Sequence, residues 1–567
     1  MKAFIVFLLS LVIIECSAQK SAKLPDNVVT NIEKRISYAQ SPSIVIGIID
    51  KEGARFFNFG NVKVNGTKAN EHTVYEIGSI SKVFTATLLA QQILDGKVKL
   101  DDPAQKYLPA EAKVPRRGGK DITLGNLSDH TSGLPRMPSN FTPSNPGNPF
   151  ADYTVEQLYS FLSSYDLTRD IGSAYEYSNL AQGLLGHILA LNAGTTYEAL
   201  MVNTIASPLG MKETKIALDE NMKKNLATGY SEGNAVQNWD IPTLAGAGAI
   251  RSSTYDMLKF LAANIGLTKT PLQNAMNMTH QVRHDKAGAM RVGLGWHIAK
   301  GKAGDVIWHN GGTGGYRTFA GFVKETSMGV VVLTNSSTGA DDIGFHILNP
   351  DAPLTEPKAS ILPLVRKEAD TKGAEAAVAL YHELKKSKMD YDFGEDALNT
   401  LGYSYLDKNL PVALAFFKLN VEQFPKSFNV YDSYGEALLK NNQKDLAIEN
   451  YRKSVEINPG NTGGIKALKE LGVDVPEKEV DVPEPVLESY VGTYELAPGF
   501  NIEVTRTAKQ LFAQATNQPK VEIYPNNDTE FYYKVVVASI TFNTNGQKVE
   551  SLTLHQNGQH MPAKKVK

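Results

Sequence analysis

Two proline-rich stretches divide this chain into pieces that cannot belong to one continuous pattern. They are Asn349-Pro-Asp-Ala-Pro-Leu-Thr-Glu-Pro357 and Val475-Pro-Glu-Lys-Glu-Val-Asp-Val-Pro-Glu-Pro485. Proline lacks an N–H and fixes its φ angle, so neither stretch continues a helix or a central strand, and both read as linkers. The chain has 567 residues, enough for three or four domains at about 150 residues each. The expected division is a large region over 28–348, a helical segment over 370–472 and a β domain over 486–567. Hydrophobic residues make up 42% and charged residues 21% of the chain, which excludes wholesale disorder. A formal charge of -2 gives no electrostatic reason to expect nucleic acid as a partner.

The N-terminal segment forms a further piece. Lys2 precedes an apolar run over 3–14, and small Ser17 and Ala18 follow. That order reads as a secretory signal peptide over 1–18, cut after Ala18. The run is short of the ~20 residues a spanning helix needs, and no later stretch reaches that length. The expectation is a secreted or periplasmic protein with no stable membrane span. Cys16 is the only cysteine, and Glu15 precedes it where a lipidation signal would have a small residue. A lipoprotein is therefore set aside, and the cysteine leaves with the signal. No disulfide framework or thiolate metal cluster is expected.

The helical segment repeats itself. Gly435, Ala447, Tyr451 and Pro459 lie at tetratricopeptide offsets, and Ala413, Phe417 and Pro425 hold the equivalent positions one full repeat earlier. Small residues let paired helices approach, the aromatic fills the groove, and proline ends the second helix. Gly402 falls one position short of that same offset before Gly435, so the first repeat is expected to have lost a residue in its turn. Two copies resemble the tetratricopeptide family and offer either a spacer or a surface for a protein or peptide partner. Fewer than three copies is marginal alone, so the segment should lean on a neighbour. The C-terminal stretch after the second linker alternates apolar and polar positions around Asn526-Asn527 and Asn545-Gly546, the pattern of a small antiparallel β domain.

The chemistry lies in the first region. Gly229-Tyr-Ser231-Glu-Gly233 matches G-x-S-x-G, but neither the buried strand nor the helix that this elbow requires flanks it. Ser79-Ile-Ser-Lys82 opens a helical pattern running to about Leu94. A serine in a first helical turn lies near free backbone N–H groups, and a lysine three positions on shares its face. Burial lowers a lysine's pKa, so it can accept or relay a proton. Tyr177-Ser-Asn179 precedes a helical pattern over 180–189, and His309-Asn-Gly311 follows a strand-like run into Gly312-Thr-Gly-Gly315. Nucleophilic serine chemistry needs a base, a relay and polarising N–H groups. Ser79, Lys82 and Tyr177 supply the first set, and the N–H groups of Ser79 and Gly312 the second.

In that order and at that spacing the three elements resemble the penicillin-recognising serine hydrolases, specifically the class C β-lactamase-related esterases and D-peptidases, over roughly residues 28–340. Leu127-Ser-Asp-His-Thr-Ser-Gly-Leu134, Pro208-Leu-Gly-Met211, Ala245-Gly-Ala-Gly248 and Gly293-Leu-Gly-Trp296 add to the resemblance. It implies an α+β, β-lactamase/transpeptidase-like domain, a mainly antiparallel sheet flanked by helices with a helical lobe alongside. It also implies that Ser79 is acylated, that Lys82 and Tyr177 share general-base and general-acid work, and that Asn179 orients a substrate amide. The substrate would be a small-molecule or peptide acyl compound, without a metal or nucleotide cofactor.

One departure concerns His309, where β-lactamases and carboxypeptidases of the family usually have lysine. A histidine with a pKa near ~6.5 is mostly neutral at neutral pH. Losing that cation would cost on the order of 1–3 kcal/mol of carboxylate recognition. The site residues expected to bind substrate are Gly312, Asn179, His309 and Gly311. The substitution points to an esterase, amidase or D-aminopeptidase; a β-lactamase or D-Ala-D-Ala carboxypeptidase and a non-catalytic cell-wall-peptide sensor stay open. Arg317 is read as a surface arginine, His280 and His284 as surface polar residues, and His130 as a structural turn residue.

Overall fold

The computed structural model describes residues 23–566 except 285–290, 475–480, 498–499, 517, 519, 537, 546–547 and 557–558. The signal segment, most of the second proline-rich stretch and Gly546 lie outside the described residues. In chain order the strands of the first region, two small hairpins of two-residue strands aside, are β1 (Ser43–Asp50), β2 (Gly53–Gly60), β3 (Val74–Glu76), β4 (Arg251–Ser253), β5 (Arg291–Val292), β6 (His297–Gly301), β7 (Gly304–Gly312), β8 (Arg317–Val323) and β9 (Met328–Thr334). Seven of them form one sheet in the order β2-β1-β9-β8-β7-β6-β5, with every neighbour antiparallel. The remaining two, β3 and β4, pair with each other.

Alternation along the strands decides which helices cover which face. Ile44, Ile46 and Ile48 of β1, with Val330 and Val332 of β9, join a core with Val28 and Ile32 of α1 (Asp26–Ser37). Val45, Val331 and Leu333 point the other way, into the largest core. That core holds α2 (Ser81–Leu94), α3 (Asn179–Asn192) and α4 (Thr254–Ile265). Phe84 of α2 stacks on Phe260 of α4 with centroids 4.1 Å apart. On the first face lies α5 (Asp341–Leu348), tied to α1 by the Arg35–Asp342 ion pair at 2.6 Å. The long helices α2 and α3 are buried nearly all round, and in α2 the polar Thr85, Thr87 and Gln92 are buried as well.

The helical segment begins earlier than its pattern predicts. It comprises α6 (Leu362–Lys372), α7 (Ala374–Lys385), α8 (Glu395–Leu406), α9 (Leu410–Gln423), α10 (Phe428–Lys440), α11 (Lys444–Ile457) and α12 (Thr462–Glu470). The expected start near 370 misses α6, whose Pro363 sits in the first turn, where a missing N–H costs nothing. A Cβ on Gly402 would lie 2.5 Å from the Phe417 ring, and one on Gly435 3.2 Å from that of Tyr451. At both positions a facing aromatic ring leaves little room for a side chain. The missing residue is not in the turn: 407–409 and 441–443 are equally long, and the shortening falls between Gly402 and the end of its helix. The segment leans on both neighbours, through an Arg366–Glu232 ion pair at 3.7 Å and an Asn526 Nδ2–Ile457 carbonyl hydrogen bond at 3.2 Å.

After the second proline-rich stretch comes α13 (Glu484–Tyr490), which corrects the linker boundary: Pro485 lies in its first turn. Eight strands then close into an antiparallel barrel, β10 (Gly492–Ala497), β11 (Phe500–Thr507), β12 (Gln510–Ala515), β13 (Val521–Pro525), β14 (Glu530–Tyr533), β15 (Ala538–Asn545), β16 (Lys548–Gln556) and β17 (Gln559–Lys565). Alternate apolar residues such as Ile502, Val504, Ile540 and Leu552 fill it, and Tyr490 of α13 stacks on Phe542 at 4.0 Å. Among the described residues no helix is long and apolar enough to cross a membrane.

Candidate active site

Ser79 lies in a tight turn over 78–80 that leads directly into α2. Strand β3 delivers the chain to that turn, and Glu76 at its end is buried. Its carboxylate accepts from the Trp239 N–H at 2.9 Å and faces the Arg251 guanidinium at 3.3 Å. The turn is held from the other side by the end of β7. Gly78 has φ +52, and a Cβ there would lie 2.7 Å from the Gly312 nitrogen. A Cβ on Gly311 would lie 1.9 Å from the Ile77 carbonyl. Only glycines let the backbone of β7 run this close to the serine turn. The Thr318 hydroxyl completes the junction by donating to the Ile77 carbonyl at 2.9 Å. The Gly312 backbone thus stands beside the serine turn, although the two are distant in sequence.

Lys82, the second residue of α2, is fully buried. Its Nζ lies 2.9 Å from Ser79 Oγ, 2.9 Å from Asn179 Oδ1 and 2.7 Å from the Ala247 carbonyl. Burial holds its pKa well below the ordinary lysine range, and the nearby Arg136 guanidinium pushes the same way. A neutral amine keeps two donors, which suit the two carbonyl-type oxygens, and its lone pair then faces the serine hydroxyl. The Gly246-Ala-Gly248 element therefore has a role that motif reading missed: it presents the carbonyl that fixes Lys82.

Tyr177 arrives on the residue before the Ser178 cap of α3, whose hydroxyl accepts from the Ala181 N–H at 2.9 Å. Its ring centre sits 4.8 Å from Lys82 Nζ, and the Ser79 hydroxyl is near enough to its phenol to oppose part of the rise in its pKa. Desolvation pushes that phenol up to about 12, so it is protonated at neutral pH. Asn179, the first residue of α3, spends its Oδ1 on Lys82; its Nδ2 meets only the Met137 sulfur, at 3.8 Å.

His309 is fully buried on β7. Its Nδ1 lies 2.6 Å from the Asn310 carbonyl, so Nδ1 carries the hydrogen and Nε2 is left as an acceptor. Burial, then the charges of His297 and Lys82, hold its pKa well below the ordinary histidine value. Two further imidazoles surround it that sequence reading did not place in the site. His297, immediately after the Gly293-Leu-Gly-Trp296 run, stacks on His309 at 4.8 Å and lies 2.8 Å from the Tyr175 hydroxyl. His130 stacks on Tyr177 at 4.7 Å, while its Nδ1 accepts the Ser178 N–H at 3.1 Å. The turn reading of His130 matches its φ of +61, but its ring also backs the tyrosine. Desolvation lowers both, His297 to about 4 and His130 well below its ordinary value.

Three expectations are corrected. His280 is buried, bonded through Nε2 to Asn264 Oδ1 at 2.9 Å and packed edge-on against Trp296. His284 is part-buried, 3.0 Å from the Asp129 carboxylate. Arg317 is part-buried and donates to the Thr313 and Tyr316 carbonyls at 2.8 and 2.9 Å. In each case a polar side chain has found internal partners that its spacing does not reveal. Ser231 lies at the end of a short strand in a small hairpin, Tyr230–Ser231 with Asn234–Ala235, away from any elbow.

A family model described as beta-lactamase matches residues 28–347, and a domain of unknown function, DUF3471, matches residues 476–565. A beta-lactamase of Pseudomonas fluorescens is 30% identical over 345 residues, covering 54% of this chain and 92% of that protein. The D-alanyl-D-alanine-carboxypeptidase/endopeptidase AmpH of Escherichia coli K12 is 30% identical over 336 residues, 55% of this chain and 86% of that protein. A solved class C beta-lactamase superposes with a TM-score of 0.51 at 24% identity, covering 58% of this chain and 96% of its own.

Proposed function

Because the chain belongs to the beta-lactamase family, we propose that it is a secreted serine hydrolase that cleaves an ester or amide through an acyl-enzyme on Ser79. The observation that carries this reading is the 2.9 Å approach of Lys82 Nζ to Ser79 Oγ with the other two amine contacts already assigned to oxygens. The neutral amine takes the serine proton as Oγ attacks the substrate carbonyl. The N–H groups of Ser79 and Gly312 receive the developing oxyanion. Tyr177, protonated at rest, passes a proton to the leaving alcohol or amine, and water then releases the acyl group by the reverse sequence. Asn179 holds the substrate amide through its Nδ2.

Within that class we favour an esterase or D-amino-acid amidase or peptidase. His309 is neutral and presents an acceptor where a β-lactamase would present a lysine cation. The second reading, a β-lactamase or D-Ala-D-Ala carboxypeptidase, is supported by the names of the two relatives above. The helix pairs α8–α9 and α10–α11 are read as tetratricopeptide-like repeats that either space the barrel from the hydrolase or hold a protein or peptide.

Labelling by a fluorophosphonate tests the nucleophile: the native protein should react, and Ser79→Ala should not. Undiminished labelling of the variant would overturn the assignment. A panel of aryl esters, D-alanyl anilides and a chromogenic cephalosporin then ranks the activities. No turnover of any of them would favour a non-catalytic sensor of cell-wall peptide.

A further inference from the structure

Arg136 stands beside this site without an internal task for its charge. Its side chain is exposed, and its guanidinium carbon lies 5.0 Å from the centre of the Tyr177 ring. Its backbone is fixed, because its carbonyl accepts the N–H groups of Asn179 and Leu180 at 3.0 and 3.3 Å. Among the described residues, none of the hydrogen bonds or ion pairs involves its guanidinium. Arg317, which pairs with Gly312 across the sheet, differs: it is committed to the Thr313 and Tyr316 carbonyls. Arg136 is close enough to depress the pKa of Lys82, Tyr177 and His130.

The surroundings make this charge conspicuous. The two imidazoles that back the site, His130 and His297, are held neutral, and so is His309 on the strand where a cation is otherwise expected. A guanidinium stays protonated at any working pH and offers a planar fork that matches a carboxylate. Its contact with the Tyr177 face restrains where that fork points. We propose that Arg136 is the anion-recognising residue of this active site, binding a carboxylate carried by the part of the substrate that lies along Asn179. Positive charge has in effect moved from the strand side of the serine to the loop before α3. This assignment rests on the reading of Ser79 as nucleophile and adds the substrate class, an acyl compound with an anionic substituent.

The test uses two fluorophosphonates that differ only at the end of a short alkyl chain, one a carboxylate and the other its carboxamide. In both, Ser79 Oγ displaces fluoride from phosphorus, so the ratio of labelling rates cancels any effect of a variant on the serine itself. The full-length native protein should react about tenfold faster with the carboxylate. Arg136→Gln should bring the ratio close to one. Arg136→Lys should retain part of the preference, since an ammonium keeps the charge but loses the fork. Equal rates in the native protein, or a preference that survives Arg136→Gln, would overturn the proposal while leaving the hydrolase reading intact. Failure of both probes to label Ser79 would remove the hydrolase reading and the Arg136 assignment with it.

Discussion

A fully buried amine with three oxygen neighbours has to choose between two arrangements. As an ammonium, Lys82 donates to all of Ser79, Asn179 and Ala247; as an amine, it donates to two and accepts from the serine. Burial, which disfavours the charged form, shifts the balance toward the second. We therefore expect kcat/KM to rise with pH along an acid limb well below the ordinary lysine range, because protonating Lys82 removes the base. Lys82→Arg, a cation that cannot deprotonate, should lower kcat by about 10³-fold or more with a soluble protein retained, measured with the best ester of the panel. Activity within tenfold of native would exclude the amine as base. The imidazoles behind it give a second expectation. Unfolded, His297 titrates near 6.5; folded, near 4. Between those values the unfolded chain holds the extra proton, so stability is present above 6.5 and is lost as pH falls toward 4. For His297 the loss is about 3 kcal/mol. Melting temperature should fall across that window in the native protein and fall less in His297→Gln; parallel curves would count against the argument.

At the scale of elements, the junction between the serine turn and β7 sets the geometry. Gly311→Ala would press a methyl group into the Ile77 carbonyl, 1.9 Å from its Cβ. The strand or the turn must then shift, and Gly312 moves with it. The expected result is a loss of roughly 1–3 kcal/mol in urea unfolding together with a fall of about 10²-fold in kcat, since a misplaced oxyanion donor costs that much. Stability lost with kcat unchanged would mean that the Gly312 N–H does not serve the oxyanion. This junction also shows what could be read beforehand. Ser79 and Lys82 share a helix face by spacing alone, and glycines at 311 and 312 announce a close backbone approach. Tyr177 and Asn179 lie at a helix start that capping chemistry marks. His297, His130 and Arg136 carried no such signal, because they reach the site by packing of separate elements. His280 likewise carries no sequence signal of the Trp296 ring it packs against. Helix α6 opens with Pro363, which a first turn tolerates, and it lies outside the repeat pattern that marks the other helices.

Across the whole molecule the apolar interior is divided. The sheet and its helices share two cores, the helical segment has two of its own, and the barrel encloses a separate one. Contacts such as Arg366–Glu232 and Asn526–Ile457 join them. Calorimetry should accordingly resolve more than one unfolding transition. Ile540→Ala, which empties part of the barrel core at a cost of about 2–5 kcal/mol, should lower one of them and leave the others in place. A single transition that moves as a whole would mean that the three regions unfold together. The two proline stretches suggest a division in residue order, but barrel closure depends on pairing between β10 and β17, which no local pattern encodes.

That closing pair has a mechanical consequence. Tyr494 of β10 faces Lys565 of β17 and Glu495 faces Lys564, antiparallel, so the chain enters and leaves the barrel at neighbouring points. Tension between those two points would peel the seam open one hydrogen bond at a time and would not load its bonds together in shear. A pull applied at the C-terminus would thus be spent on unzipping the barrel, at low force, before it reached the turn that carries Ser79.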